Sequence, residues 1–551
     1  LEEVTQDRRN LLICALVTAV VVFASLPFVE AGFNDDWSYA HVALNLARTG
    51  HLEYDNWGAP TLFVQAAWGA VLIRLFGFSF ELLRFSTLPF AMGCGILCYL
   101  LAKRSRLPGG AALFASLAFV TSPLFVPLAA SFMTDVYGCF FTLLTIYCGV
   151  RAAEGPDRPR TRLKWLAVAA LAGAIGGMER QTVYLAPAAV LLWAIWNRRQ
   201  ERSIRVGSAA ILMLVMCAGA SVVLWQMRQP FGAGTAPAAS SWHKAVNFPV
   251  QLILTLTLLT IPAAIPLCLD PGMQRVRRCG LYCLIVLATF ALYATFSGPR
   301  IFPWMFNLIG KHGILGAEDI GGEKPVVFSQ SARIALTAVV LAVLLLIVAR
   351  VAGAGLRLFR AWPATLQIFA IFAVLYSGLL TYQARAYSYD RYALPLIPLA
   401  LIALLLAGRE KRNGVAAGLG WATLVIFAIY GVASTHDYYA SLRSRMAAVE
   451  LLQRSGIPRL QINGGLELDC WLEDEVSGHV THPVPAVEPT SDSVLDGTWL
   501  LSYTPRIDGR YRVSWSDLPG YRRSPLGPVP MLAWLPPFRR QILILARKDA
   551  R

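Results

Sequence analysis

Residues 8–39 read RRNLLICALVTAVVVFASLPFVEAGFNDDWSY: two arginines, an uncharged apolar run from Leu11 to Val29, then an acid pair set among aromatic residues. A helix of about 20 apolar residues crosses the roughly 30 Å of bilayer hydrocarbon, so the run predicts a membrane span. Arg8 and Arg9 ahead of it resemble the start of a signal peptide. The run is longer than a usual signal core and many more follow, so we expect an uncleaved first span.

The rest of the chain repeats the pattern. It has 551 residues, 56% of them hydrophobic and 15% charged, with mean hydropathy +0.53, too apolar for a soluble domain of ordinary usage. Thirteen spans are predicted, near 11–29, 80–102, 109–127, 133–151, 163–178, 181–197, 205–226, 247–269, 279–297, 332–352, 362–380, 392–408 and 414–434. The net charge of +16 resides in short clusters between them: Arg8/Arg9, Lys103/Arg104/Arg106, Arg158/Arg160/Arg162/Lys164, Arg198/Arg199/Arg202/Arg205, Arg275/Arg277/Arg278, Arg350/Arg357/Arg360 and Arg409/Lys411/Arg412. Every cluster falls in alternate connections, hence on one side. The positive-inside rule makes that side cytoplasmic, with the N-terminus inside and the C-terminal tail outside. The same distribution speaks against nucleic acid as a partner.

The expected fold is therefore an all-α polytopic bundle over residues 1–435 with a first outer loop at 32–79. A small α+β extracytoplasmic domain follows at 436–551, opening with a helical pattern from Tyr439 to Arg454. Strand-like runs follow at Trp499–Tyr503 and Gln541–Ala546. Within the first outer loop, Trp37, Ala40 and Leu44, then Leu62, Trp68, Leu72 and Leu75, recur at helical spacing. They predict two helices lying in the interface, apolar side down, walling a groove for a lipid tail or packing over the bundle.

Candidate chemistry gathers at the outer ends of spans. Asp35 and Asp36, directly after the first span, are paired carboxylates of the kind that accept a proton from an attacking hydroxyl; Asn34 or Asp35 would equally cap the helix that follows. Asp135, in Ser131-Phe132-Met133-Thr134-Asp135, stands where the fourth span enters, a costly depth for an acid unless it caps the helix or works. Arg391 in Tyr389-Asp390-Arg391-Tyr392-Ala393-Leu394-Pro395 has the planar fork that grips phosphate, or pairs with Asp390. Arg180 presents the same choice beside Glu179. Glu179, Asp390, Tyr39, His243, Lys244 and Arg300 are further candidates for substrate contact on this face. No metal-ligand spacing, phosphate loop or nucleophile elbow is present; Asp35 and Asp36 alone are two ligands for a divalent ion without a third. Cys94/Cys98 and Cys279/Cys283 lack companion ligands and read as small packing residues.

The acid pair after the first span, Thr134-Asp135 opening the fourth, and Arg391-Tyr392-Ala393-Leu394-Pro395 opening a late one together resemble the GT-C superfamily of integral membrane glycosyltransferases. The similarity is to the bacterial branch related to protein O-mannosyltransferases and lipid A aminoarabinose transferases. That resemblance implies about thirteen spans with an outward C-terminal domain in the bacterial inner membrane. It implies a polyprenyl-phosphate-linked sugar as donor and a lipid, glycan or protein acceptor in the cell envelope, lipopolysaccharide included. It also implies Asp35 or Asp36 as the catalytic carboxylate, Asp135 as a second acid, and Arg391 with Arg180 as holders of the donor phosphate. Relatives often carry a basic residue and a double proline ahead of the second interfacial helix, where Asn56-Trp57-Gly58-Ala59-Pro60-Thr61-Leu62 has neither. The donor sugar is left open. A transporter or flippase would show ionisable residues near mid-membrane and broken spans, whereas here the charges sit at span ends. A glycan polymerase or ligase, and a partner-binding subunit, are the other classes the composition admits.

Overall fold

The computed structural model describes residues 2–58, 60–154, 158–198, 200–230, 241–268, 276–296, 301–305, 307–316, 319–352, 362–386, 388–408, 414–481, 495 and 498–549. In chain order these form α1 (Glu2–Ala24), α2 (Asp36–Thr49), α3 (Phe63–Phe76), α4 (Phe80–Ser86), α5 (Leu88–Arg104), α6 (Gly109–Val120), α7 (Phe125–Ala129), α8 (Thr134–Glu154) and α9 (Pro159–Glu179). Then come α10 (Leu185–Asn197), α11 (Arg202–Gln226), α12 (Trp242–Cys268), α13 (Val276–Phe296), the short strands β1 (Ile309–Gly310) and β2 (Gly313–Ile314), α14 (Gln330–Ala352), α15 (Ala364–Gln383), α16 (Ile397–Ala407) and α17 (Gly414–Arg454). The C-terminal part adds β3 (Ile462–Asn463), α18 (Leu466–Ser477), α19 (Thr498–Leu501), β4 (Tyr511–Ser514), β5 (Tyr521–Arg523), β6 (Val529–Leu532) and β7 (Arg539–Arg547). Turns of 3₁₀ helix precede α10 (Gln181–Tyr184) and α16 (Asp390–Leu396).

Every predicted span coincides with one of these helices or with a consecutive pair. Eight of the described helices are long and apolar enough to cross a membrane, and several shorter apolar helices accompany them. The chain is a multi-pass membrane protein. Ion pairs tie the basic connections to one another at one end of the bundle: Lys103 with Asp7 (3.2 Å), Arg104 with Glu154 (2.6 Å) and Arg162 with Glu201 (3.0 Å). Prolines 249, 262 and 266 lie inside α12, as membrane helices tolerate when their surroundings satisfy the freed backbone groups.

The first outer loop departs from the sequence reading. Helix α2 ends at Gly50 (φ +77°), whose amide bonds the Leu46 carbonyl. Yet α2 is buried from Asp36 to Leu44 rather than lying on lipid. The C-terminal domain covers it, with His41 meeting Asp474 and packing edge-on against Trp471 of α18. Only α3 keeps a free apolar side, exposing Val71, Leu75 and Phe76.

The C-terminal sheet runs β3-β4-β7-β5, with β6 pairing along the first half of the long strand β7. β3 and β4 are parallel and the remaining pairs antiparallel. Its inner face packs Val513, Met531, Ile542 and Ile544 against Ala448, Val449 and Leu452 of α17. Gln541–Ala546 is strand, as read; Trp499–Tyr503 is not, because Thr498–Leu501 turns into a short helix that seats Trp499 and Leu500 inside. The expected seam at 435/436 falls inside α17, which has no proline and runs 41 residues, about 60 Å, from the bundle into the C-terminal part.

Candidate active site

The site forms where the first loop, the entries of α8 and α10, and the 3₁₀ turn before α16 converge. Gly32 allows the first approach: a Cβ there would sit 2.7 Å from Trp37 Cβ and 3.1 Å from an Asp36 oxygen. The chain then turns through Asn34 (φ +52°) and starts α2. Asp35 stands at the capping position, but its side chain makes no cap hydrogen bond.

The two adjacent acids diverge. Asp36 is buried, with one oxygen accepting the Phe33 amide and the other the Phe132 amide at 3.0 Å. Burial pushes its carboxyl up to about 7, against the pull of Arg84 and the two amides. It staples the loop to the segment that leads into α8. Asp35 instead faces Arg391, with Oδ2 2.9 Å from Nη1, while Oδ1 accepts the Trp57 indole N–H at 3.0 Å. The two carboxylates hold different partners, so they do not form a shared cation site. Among the described residues no three His, Cys, Asp or Glu side chains gather as a metal set.

Asp135 accepts from Arg180 at 2.6 Å, and the same guanidinium nitrogen reaches Thr134 Oγ1 at 3.2 Å. Gly138, one turn along α8, gives the arginine room, since a Cβ there would lie 3.2 Å from Arg180 Cδ. Tyr392 spans the two cations, its ring centre 5.0 Å from the Arg180 guanidinium and 6.0 Å from that of Arg391. Tyr376 donates its hydroxyl to the Tyr392 carbonyl at 3.0 Å. Asp135, Arg180, Arg391, Tyr376, Thr142 and Thr182 line one small cavity. Arg391 Nε and Asp135 Oδ2 are buried there without hydrogen-bond partners among the described residues. Such groups are costly unless a bound group or water satisfies them.

The neighbours proposed from sequence take other duties. Asp390 is not the partner of the Arg391 guanidinium tip; its oxygens accept the Leu308 (2.9 Å) and Ile309 (2.6 Å) amides and hold the β1–β2 hairpin over the site. Glu179 is not the partner of Arg180; it is buried and accepts the Gln65 amide at 2.8 Å, anchoring the start of α3. Tyr39 is buried within the field of Asp35, Arg391, Asp135 and Arg180; burial first and Asp35 second hold its phenol protonated. His243 is exposed, with Nε2 2.5 Å from the Phe296 carbonyl, and neither it nor Lys244 lines the cavity. Arg300 lies outside the described residues.

Two contributors escaped the sequence reading. Trp57 is set in place by Asp55, which accepts its backbone amide (3.0 Å) and the Ser38 hydroxyl (2.9 Å). Its ring meets Tyr503 of the C-terminal domain edge-on at 5.5 Å. Arg84, fully buried, donates to the carbonyls of Pro27, Val29 and Ala31 and so shapes the chain just before the acids. An arginine inside the predicted span 80–102 was the available signal.

Residues 63–225 match the family model described as dolichyl-phosphate-mannose-protein mannosyltransferase. The match covers less than half of the chain and falls on the segment that carries Asp135 and Arg180. No curated protein matches it in sequence. Similar solved structures include the apo oligosaccharyltransferase of Archaeoglobus fulgidus (14% identity, TM-score 0.48, covering 90% of this chain and 64% of that one). Another is apo ArnT from Cupriavidus metallidurans (14%, 0.40, 97% of each chain). A third is the S. cerevisiae protein O-mannosyltransferase Pmt1-Pmt2 complex bound to the sugar donor (17%, 0.31, 40% and 32%). The chain thus spans about a third of the yeast protein's length and just under two thirds of the archaeal one.

Proposed function

We propose that this chain transfers a glycosyl group from a polyprenyl-phosphate carrier to a lipid, glycan or protein acceptor on the outer face of a bacterial inner membrane. The observation that carries the reading is a cavity lined by Arg391, Arg180 and Asp135, with Asp135 paired to Arg180 and the Arg391 guanidinium paired to Asp35 beside it. A membrane-anchored donor brings its phosphate to this depth without a nucleotide, and two guanidinium groups suit that phosphate.

In the proposed reaction an acceptor oxygen attacks the anomeric carbon from the face opposite the carrier, inverting it. The new C–O bond forms as the bond to the carrier phosphate breaks, and the phosphate keeps the electron pair. Asp35 takes the acceptor's proton, while Arg391 and Arg180 balance the charge gathering on the leaving phosphate. Arg391 neutralises Asp35 across 2.9 Å. A donor phosphate that draws Arg391 toward itself releases the carboxylate as base, so donor binding arms the site. Asp36 is less suited, since both its oxygens already serve backbone amides.

The test uses membranes from cells lacking the gene and carrying Asp35→Asn or Asp36→Asn. Surface glycolipids and glycoproteins are compared with wild type by mass spectrometry. Loss of one sugar in the deletion, restored by wild type but not by Asp35→Asn, supports the reading; full restoration by Asp35→Asn removes Asp35 from the chemistry.

A further inference from the structure

The outward face of the β6–β7 hairpin is apolar where a sheet bordering water is normally polar. Met531 and Ala533 point into the domain core, and the alternate residues Leu532 and Trp534 are 74% and 45% exposed. The turn continues through Pro536 and Pro537 to Phe538, 59% exposed, with Arg539 exposed beside it. Leu532 pairs with Arg539 to close the hairpin.

The attachment of this tip to the bundle identifies its neighbour. Asp437 of α17 accepts the backbone amides of Trp534 (2.6 Å) and Leu535 (3.1 Å), and its carboxylate lies 3.3 Å from Arg540. The Trp534 ring stacks on His436, with centroids 3.9 Å apart and planes 10° apart. Asp437 is about one helical turn, roughly 5 Å, beyond Ser434, where the apolar block of α17 ends. Below it Val425, Ile426 and Ile429 are 50%, 62% and 63% exposed, as residues facing acyl chains are. The headgroup layer adds about 5–8 Å to each side of the hydrocarbon, so the tip is held at that depth. Tryptophan, phenylalanine and a flanking arginine are the composition that layer favours.

We infer that the hairpin tip, through Leu532, Trp534 and Phe538, inserts into the phospholipid headgroup layer and fixes the C-terminal domain against the bilayer. The contact is separate from the candidate active site and does not depend on the reaction assigned to it.

The test is a nitroxide on Leu532→Cys in full-length protein reconstituted in phosphatidylcholine/phosphatidylglycerol nanodiscs. Wild type taken through the same labelling serves as background and Asp517→Cys as a water-exposed control. Expected is oxygen accessibility well above that of the control, with nickel-chelate accessibility several-fold below it. A nickel-chelate accessibility equal to the control would overturn the inference, as would shielding from both reagents, which indicates a second copy or another protein on the patch. An independent check is Trp534→Phe. Replacing the lipids with brominated ones should quench less fluorescence in this variant than in wild type. An unchanged lipid-quenched fraction with a smaller iodide-quenched one would also overturn it.

Discussion

The Asp35 carboxylate is held on two sides, by the Arg391 guanidinium at 2.9 Å and by the Trp57 indole N–H at 3.0 Å, the first from the turn before α16 and the second from its own outer loop. Asp36, its sequence neighbour, is enclosed and serves backbone amides only. This divergence separates two mutants that look alike on paper. Asp35→Asn should leave the melting temperature near wild type and lower transfer by about 10² or more, the loss typical of a removed general base. Asp36→Asn should destabilise, since an amide nitrogen would face a buried N–H donor, at a cost of about 1–3 kcal/mol. Thermal melts in detergent, read beside transfer assays, check both.

Asp36 also carries a pH signature. Its folded carboxyl titrates at about 7, above the unfolded value of 3.8, so the folded state holds the extra proton. Its contribution is therefore most favourable below pH 3.8 and is lost as pH rises toward 7. The wild-type melting temperature should fall between pH 5 and pH 8 more steeply than that of Asp36→Asn, which has no proton to lose there.

Arg391→Lys keeps the positive charge and loses the planar fork. Expected is a ten- to hundred-fold lower kcat/KM for donor, about 1.4–2.8 kcal/mol, with KM for acceptor little changed. Steady-state kinetics with donor and acceptor varied separately measure it. Equal efficiency in the lysine variant would remove the bidentate contact.

Trp57→Phe retains an aromatic ring between Trp37 and Tyr503 and deletes the N–H that holds Asp35. The expected result is about a tenfold lower kcat with KM for donor nearly unchanged, because one hydrogen bond of about 1–1.5 kcal/mol orients the base. A change confined to KM would instead place Trp57 in donor binding.

His41 and Asp474 join the first loop to the C-terminal domain. Burial disfavours the charged imidazole, but the Asp474 carboxylate more than offsets it, so the His41 pKa is raised. The pair stabilises fully below the unfolded histidine value near 6.5 and is lost as pH rises through the higher folded value. The melting difference between wild type and His41→Gln should be largest at mildly acidic pH and shrink as pH increases. A pH-independent difference would contradict the ion pair.

Much of the bundle was legible because lipid imposes a simple rule on sequence, and the runs after Arg9 and around Asp135 follow it. The order of Asp35, Asp135 and Arg391 along the chain likewise pointed to one end of the bundle. What escaped were choices made by tertiary contact. Nothing local distinguishes Asp35 from Asp36, since their roles depend on Phe132 and Arg391, which are remote in sequence. The amphipathic pattern of α2 is the same whether lipid or protein covers it, and α18 decides the matter. Trp499–Tyr503 has the residues of a strand, but the core required a turn of helix there.

The single helix that leaves the bundle at Ser434 and continues to Arg454 has a mechanical consequence. A proline-free α-helix curves gently and does not fold back on itself. The C-terminal sheet is therefore mounted on a stiff mast rather than hung from a tether, and any tilt of the last span swings it, with Tyr503 against Trp57, in the same motion.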